Sequence, residues 1–136
     1  MLEVELTKII IDEKRQDQII VLKEKGGERQ FPILIGFIEA SSIKMKLADL
    51  EPPRPLTHDL LVEVIAGFKG ELESVVIDKM QKNTFFAKLI FKTHDGKKVI
   101  VDARPSDGIA LAVRTGAEIF VDEDVLKRAA IATPVE

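Results

Sequence analysis

Three short segments gather most of the side chains that can carry chemistry. Residues 54–59 place an arginine, a threonine, a histidine and an aspartate around one predicted helix start. Residues 102–107 place two aspartates, an arginine and a serine around another, and Glu39 lies in the first turn of a third helix. The free amides and positive dipole end of a helix start favour anions, and arginine adds bidentate contacts to phosphate oxygens. These segments are therefore candidate phosphate sites.

The carboxylates among these residues suit a divalent cation. Oxygen ligands are those that Mg²⁺ and Mn²⁺ prefer, so Glu39, Asp102 and Asp107 are candidate metal ligands or water-positioning groups. Only two histidines are present, His58 and His94, which excludes a multi-histidine metal site within one subunit. With His58 as general base or acid, the set fits metal-assisted phosphodiester hydrolysis.

The candidate phosphate-binding residues are Arg54, Thr57, Arg104 and Ser106. Each polar group also has a structural interpretation. Thr57 and Ser106 can cap helices, and the carboxylates can complement helix dipoles. His58 lies on the flank of an apolar stripe, where it can simply pack at a boundary. The spacing alone leaves both interpretations open.

The elements that must position these residues follow from periodicity and turn chemistry. Alternating apolar residues predict two three-strand antiparallel meanders, with strands at 2–11, 18–25 and 29–35 and then at 71–80, 84–92 and 97–103. Helical spacing predicts helices at 36–50, from Thr57 to about Gly67, at 105–115 and at 122–128, with a short extended piece at 119–121. The fold class is α+β, in a single compact domain at 1–128 followed by a loose tail at 129–136. The two halves share one order of elements, which leaves a weak internal duplication open.

Two of these helices have contrasting patterns. The second helix has an apparent core stripe, formed by Leu60, Leu61, Val64, Ile65 and Phe68. The third helix is apolar on all sides from Gly108 to Val113, which predicts burial, and it carries Asp107 and Arg114 on one stripe. Buried charges need partners or a task, so Arg114 joins the candidate residues in a supporting role.

Composition excludes several classes of protein. The 136 residues are 46% apolar and 32% charged, which is typical of a soluble globular domain and not of a disordered or collagen-like chain. No cysteine is present, so disulfides, thiolate metal sites and cysteine nucleophiles are excluded. No apolar run approaches the ~20 residues of a membrane span, and no leader-like start is found. Both observations favour a cytoplasmic protein without a membrane partner. The net charge of −3 argues against coating nucleic acid through bulk positive charge, but residues 79–114 carry eight basic and three acidic side chains.

Around the candidate residues the sequence strongly resembles the bifunctional nuclease domain family, whose members are described as cleaving both RNA and DNA. The matching segments, in order, are residues 32–36 with Glu39 and Ala40, residues 53–61, residues 83–87 and residues 102–112. Three positions depart from the usual family residue: Leu34 replaces tryptophan, Phe86 replaces tyrosine and Gly108 replaces alanine. The resemblance spans about residues 1–128. It implies a shared site for the residues that coincide with the family's motif positions, which are Glu39, Arg54, His58, Asp59, Asp102, Arg104, Ser106 and Asp107.

Residues and resemblance together predict a nuclease that acts with Mg²⁺ or Mn²⁺ on single-stranded or loosely structured RNA or DNA. Lys88, Lys92, Lys97 and Lys98 are expected to guide the nucleic acid backbone. Aromatic content is 5%, without tyrosine or tryptophan, so little sequence preference is expected. Two alternatives stay open. One is a non-catalytic module whose Arg-Pro segments bind an anion or a partner, with the carboxylates acting as structural caps. The other is a structural role in which the sheet meets a second copy, since a homo-oligomer is expected.

Overall fold

The computed structural model describes residues 1–130 of the chain. Its strands are β1 (Leu2–Ile10), β2 (Asp17–Glu24), β3 (Gln30–Gly36), β4 (Gly70–Gln81), β5 (Thr84–Thr93), β6 (Lys98–Ala103) and β7 (Glu118–Val121). Its helices are α1 (Phe37–Leu47), α2 (Thr57–Gly67), α3 (Pro105–Thr115) and α4 (Glu123–Ala129). The predicted α+β class is confirmed. The predicted tail lies outside the described residues from residue 131 onward.

One seven-stranded sheet contains both predicted meanders, in the order β3-β2-β1-β7-β4-β5-β6. The piece predicted at 119–121 is the strand that joins them, because β7 pairs antiparallel with β1 and parallel with β4. The sheet curls until strands from its two halves meet: the ring centroids of Phe31 on β3 and Phe85 on β5 are 5.6 Å apart.

The tight turns follow from residues that tolerate a left-handed backbone. Lys82 and Asn83 between β4 and β5 both have positive φ, 51° and 64°. Positive φ at both central residues is the requirement of a type I′ hairpin turn, which matches the right-handed twist of the strands. The predicted hairpin at this point is confirmed.

Helix α3 is the centre of the helical layer. It contacts β4, β5 and β7 on one side and α1 and α2 on the other. Ser106 and the residues from Gly108 to Ala112 are buried, as the apolar pattern predicted. Because α3 is enclosed, polar groups at its first and last turns lie between helices.

Gly108 permits the close approach of α3 to the sheet. A Cβ atom there would lie 2.5 Å from Cγ1 of Val75 on β4. We expect Gly108→Ala to lower the free energy of unfolding by about 1–2 kcal/mol, since overpacking outweighs the gain in helix propensity. In a Val75→Ala background the same substitution should be nearly neutral. Urea unfolding of the four variants tests this, and an equal cost in both backgrounds would contradict it.

The predicted core stripe of α2 is wrong. Leu60, Leu61, Val64 and Phe68 are exposed, at 56%, 40%, 45% and 84%, and the buried residue of α2 is His58. These residues do form one apolar face of a helix, but that face points away from the core. The C-terminal end of helix α1 also exposes an apolar residue: Leu47 is exposed, whereas Ala40 and Ile43 earlier in the helix are buried.

None of the helices within residues 1–130 combines the length and the apolar character that crossing a bilayer requires.

Candidate functional site

Seven side chains from the helical layer form one continuous series of hydrogen bonds, which we call the polar chain. In order along the series its members are Glu39, Arg104, Asp107, His58, Ser42, Arg114 and Asp59. We call the Glu39 end its outer end and the Asp59 end its inner end. Glu39 and Ser42 come from α1, His58 and Asp59 from α2, and Asp107 and Arg114 from α3, while Arg104 immediately precedes α3. The polar chain therefore holds the three helices to one another.

Arg104 joins two carboxylates at the outer end of the polar chain. Its Nε and Nη2 atoms donate to the two oxygens of Asp107 at 2.9 and 2.8 Å, and its Nη1 donates to Glu39 Oε2 at 3.0 Å. The Arg104 side chain is 63% exposed, whereas those of Asp107 and Glu39 are 25% and 20% exposed. A guanidinium held in this way presents its remaining surface to solvent with its orientation fixed.

His58 lies directly behind Asp107. Its Nε2 is 3.1 Å from Asp107 Oδ1, its Nδ1 is 3.0 Å from Ser42 Oγ, and its side chain is 9% exposed. Since Arg114 already donates to Ser42 Oγ, the Ser42 hydroxyl can donate to Nδ1, which places the ring proton on Nε2, facing Asp107. Both ring nitrogens of His58 are therefore already hydrogen-bonded within the protein, one of them to Asp107.

The inner end of the polar chain is an ion pair between a buried arginine and an aspartate whose side chain is 32% exposed. Arg114 has a side chain that is 5% exposed, and its Nε donates to Asp59 Oδ1 at 2.7 Å. Its other nitrogens donate to Ser42 Oγ and to the carbonyl oxygen of Ala110. The second oxygen of Asp59 accepts from the backbone N–H of Leu56 at 2.9 Å. Every charge at this end is therefore paired.

These contacts lower the pKa values of both Asp107 and Asp59. Burial acts to raise the pKa of Asp107, but hydrogen bonds from Arg104 and His58 outweigh it and hold that pKa below its usual value. The hydrogen bond from Arg114 holds the pKa of Asp59 below its usual value, with the Leu56 amide contributing. Both carboxylates are thus ionised at neutral pH.

The outer end of the polar chain opens into a cleft of about 570 Å³. Its polar lining includes Glu39, Thr57, His58, Asp102, Arg104 and Asp107, and its apolar lining includes Phe37, Ile38, Leu56, Leu61 and Val101. The cleft therefore combines fixed charges with apolar surface. Such a cleft suits a ligand with an anionic group and a flat or apolar part.

The predicted site residues divide into those that converge and those that do not. Glu39, His58, Arg104 and Asp107 meet, and Asp59 and Arg114 support them through Ser42. Asp102 is exposed and accepts from Lys88 Nζ at 3.1 Å on the neighbouring strand, so it lines the cleft outside the polar chain.

The four phosphate-binding candidates also separate. Arg54 is exposed and does not line the cleft, whereas Arg104 does. Ser106 is buried at 5% exposure and borders a second cavity between β3 and α3. Thr57 is exposed at the first position of α2 and does not cap it, because Asp59 receives the Leu56 amide instead. Ser106 and Asp107 provide no cap either, since α3 starts with Pro105 and no side-chain cap.

The donor set fits a divalent cation only in part. Within residues 1–130 no group of three or more histidine, aspartate or glutamate side chains could hold a metal ion. Glu39 and Asp107 nevertheless approach one another across Arg104. Mg²⁺ is commonly held by one or two carboxylates together with substrate phosphates and water. Both oxygens of Asp107 already accept hydrogen bonds, so Glu39 is the carboxylate of this pair that fits that smaller requirement. Asp102 does not join them.

Ser42 is the member of the polar chain that sequence reasoning missed. It lies on the buried face of α1, between Ala40 and Ile43, and is 6% exposed. A hydroxyl on a buried helical face needs a partner, and Ser42 is one turn after Glu39. Its position one turn after Glu39 is the feature of the sequence that could have identified Ser42 as a site residue.

The inner ion pair makes a prediction about acid stability. Because the pKa of Asp59 is lowered in the folded state, its contribution is present above the unfolded pKa of about 4 and is lost as pH falls through the folded value. Asp59→Asn should lower the free energy of unfolding by roughly 1–3 kcal/mol at pH 7. Urea unfolding at pH 7 and pH 3 measures the difference. Asp124→Asn, on exposed α4, is the matched control, and an equal cost at both pH values for Asp59→Asn would contradict the account.

Fold and site together define an α+β protein with an arginine–carboxylate–histidine cluster at the edge of a cleft. The chain belongs to the bifunctional nuclease domain family, whose model matches residues 20–134. The resemblance read from the motifs is thereby confirmed.

Relatives extend the likeness over nearly the whole chain. Uncharacterized proteins from two strains of Mycobacterium tuberculosis, CDC 1551 / Oshkosh and ATCC 25618 / H37Rv, are each 40% identical over 134 residues. Those alignments cover 98% of this chain and 79% of each relative. A rice protein (Oryza sativa subsp. japonica) named Bifunctional nuclease 2 is 28% identical over 109 residues, which cover 78% of this chain and 33% of the rice protein.

Proposed function

We propose that this protein hydrolyses phosphodiester bonds of single-stranded or loosely structured RNA or DNA. The observation that carries the proposal is the fixed Arg104–Asp107–His58 contact at the edge of the cleft. Family membership and the name of the rice relative support it. The cleft offers Phe37 as its one aromatic lining residue, so base stacking contributes little and weak sequence preference is expected.

Arg104 is the group that binds the scissile phosphate in this proposal. Its guanidinium is oriented by Asp107 on one edge, and a phosphate oxygen would take the place of Glu39 on the other edge. Arginine matches phosphate oxygens bidentately and stays charged during the reaction, so it stabilises the charge that develops on them. The apolar wall of the cleft holds the sugar or base.

Asp107 is the group that takes the proton from the attacking water. It is ionised at neutral pH and is a quarter exposed at the cleft. His58 donates its Nε2 proton to Asp107 and so fixes the carboxylate, which makes His58 a positioning residue. In this proposal Asp107 takes the proton-moving role that the sequence suggested for His58.

A cation would be held by Glu39, the substrate phosphate and water. Mg²⁺ or Mn²⁺ in that position would supply Lewis-acid polarisation of a phosphoryl oxygen. The other candidate ligands have different partners, Asp107 with His58 and Asp102 with Lys88.

The positioning role of His58 predicts different results for two variants. His58→Gln retains an N–H donor toward Asp107 and should keep most of the cleavage rate, whereas His58→Leu should lose about 10–100-fold. Removing that donor raises the pKa of Asp107, so the acid limb of the pH–rate profile should move to higher pH in His58→Leu. Thermal melts control for folding. Equal losses in both variants with an unmoved acid limb would indicate a purely structural histidine.

Cleavage of end-labelled single-stranded RNA and DNA tests the proposed function. Reactions with Mg²⁺, with Mn²⁺ and with a chelator should give products only when a cation is present. Binding of either strand without cleavage in any reaction would favour the alternative of a non-catalytic anion-binding module. Cleavage that is equal in the chelator would remove the cation from the account while retaining the nuclease.

A further inference from the structure

Strand β6 is an edge strand with an unusual number of exposed apolar residues. It is the last strand in the sheet order of the described residues, and β5 is its neighbour on one side. Val99, Ile100 and Val101 in its centre are exposed at 44%, 63% and 42%. Edge strands of monomeric proteins are commonly protected by charges or bulges, since exposed apolar edges pair with other strands.

The sequence of β6 is self-complementary when it is read against itself in the antiparallel direction. Centred on Ile100, the run from Lys98 to Asp102 places Lys98 opposite Asp102, Val99 opposite Val101 and Ile100 opposite Ile100. Opposite charges then face one another at both ends, and apolar residues face one another between them. A single strand with this pattern is complementary to a second copy of itself.

The adjacent helix continues the apolar surface. Val101 pairs across the sheet with the buried Leu89, so Val101 and Val99 lie on the face that carries the helices. Leu61 of α2 lines the same cleft as Val101, and α2 exposes further apolar residues at Val64 and Phe68. A two-fold axis perpendicular to the sheet would bring this face of two copies together. A contiguous apolar patch of this kind marks an interaction site.

We propose that two copies of this chain pair through antiparallel β6 strands about a two-fold axis at Ile100, which forms one continuous sheet. The same register places the partner subunit's Lys98 opposite Asp102, and the partner's Lys97 opposite Ala103. Both Asp102 and Ala103 line the cleft. Side chains alternate along a strand, so the partner's Lys97 lies on the same face as Val99 and Val101, the face that carries the helices. Each cleft therefore gains one basic group from the other copy, while the pair of Lys98 and Asp102 forms on the opposite face of the sheet.

Sedimentation velocity and equilibrium on the full chain test this pairing without any nucleic acid. The wild type should sediment as a dimer at micromolar concentration. Ile100→Lys should weaken dimerisation at least about a hundredfold, because two like charges then face one another at the axis. Since Ile100 is exposed on each copy, the variant should stay folded, with a melting temperature that no longer depends on protein concentration. A wild-type monomer at every concentration, or an Ile100→Lys dimer, would overturn the proposal.

Mixed variants test the register itself. Ile100→Lys and Ile100→Glu should each be monomeric alone and should form a heterodimer when mixed. Lys98→Glu and Asp102→Lys should each weaken pairing, and the variant carrying both changes should recover it. Failure of both rescues would overturn the pairing at Ile100. These outcomes do not depend on the proposed nuclease activity.

Discussion

Replacement of Asp107 by asparagine should reduce nucleic acid cleavage by about 10²–10⁴-fold. Asparagine has the shape of the carboxylate but cannot take a proton from water, and its amide nitrogen cannot accept from Arg104 Nε as the second carboxylate oxygen does. The measurement is the single-turnover rate on end-labelled single-stranded RNA, with thermal melts of the variant alongside. A moderate loss of stability is expected, because Asp107 joins α2 to α3 through His58.

Two other aspartates provide the comparison. Asp102→Asn should change the rate only a few-fold, because Asp102 is held by Lys88 and stands outside the polar chain. Asp124→Asn, on α4, should have no effect. If Asp102→Asn abolishes cleavage while Asp107→Asn retains it, the catalytic carboxylate is that of Asp102 on β6 and not that of Asp107 on α3.

Replacement of Arg104 by lysine should reduce cleavage by about 10²–10³-fold, although the positive charge is retained. Lysine is a point charge and cannot bridge Glu39 and Asp107 while contacting a phosphate. Part of the loss should appear as weaker binding of single-stranded DNA, with a smaller dependence of affinity on salt concentration. Fluorescence anisotropy at several salt concentrations measures that dependence.

Arg54→Lys is the matched control for this change. Arg54 and Arg104 are both exposed and both precede a proline. Arg104 lines the cleft, whereas Arg54 does not. We expect its rate and affinity to stay within about threefold of the wild type. A larger effect at Arg54 than at Arg104 would move the phosphate site to the linker before α2.

Much of the fold was predictable because its local signals agree. The hairpin at Lys82 and Asn83 and the all-apolar helix α3 each follow from a pattern of residues that are close together in the sequence. The order of strands was not predictable, because β7 is short and its pairing with β1 and β4 depends on residues far along the chain.

The error at α2 has a physical cause. A helical stripe shows that one face is apolar but not what covers that face. In α2 the stripe containing Leu61 and Val64 is exposed, while His58 is buried against Ser42 and Asp107. The proposed dimer would cover part of that stripe.

The candidate site was predictable as a list of residues and not as a geometry. Arg104 and Asp107 are three residues apart, so their contact follows from the start of α3. The contact between Arg104 and Glu39 spans 65 residues, and that between Asp59 and Arg114 spans 55. Such contacts depend on how the helices pack, which spacing does not specify.

The central claim is that nucleic acid binds at the outer end of the polar chain. It is tested most directly by nuclear magnetic resonance of ¹⁵N-labelled protein, titrated with a cleavage-resistant 2′-O-methyl oligonucleotide without divalent cation. We predict that the Nε–H signal of Arg104 and the amide signals of Glu39 and Asp107 shift together and saturate at one affinity. Shifts confined to α4 or to the far strands β2 and β3, with the Arg104 signal unchanged, would contradict the account.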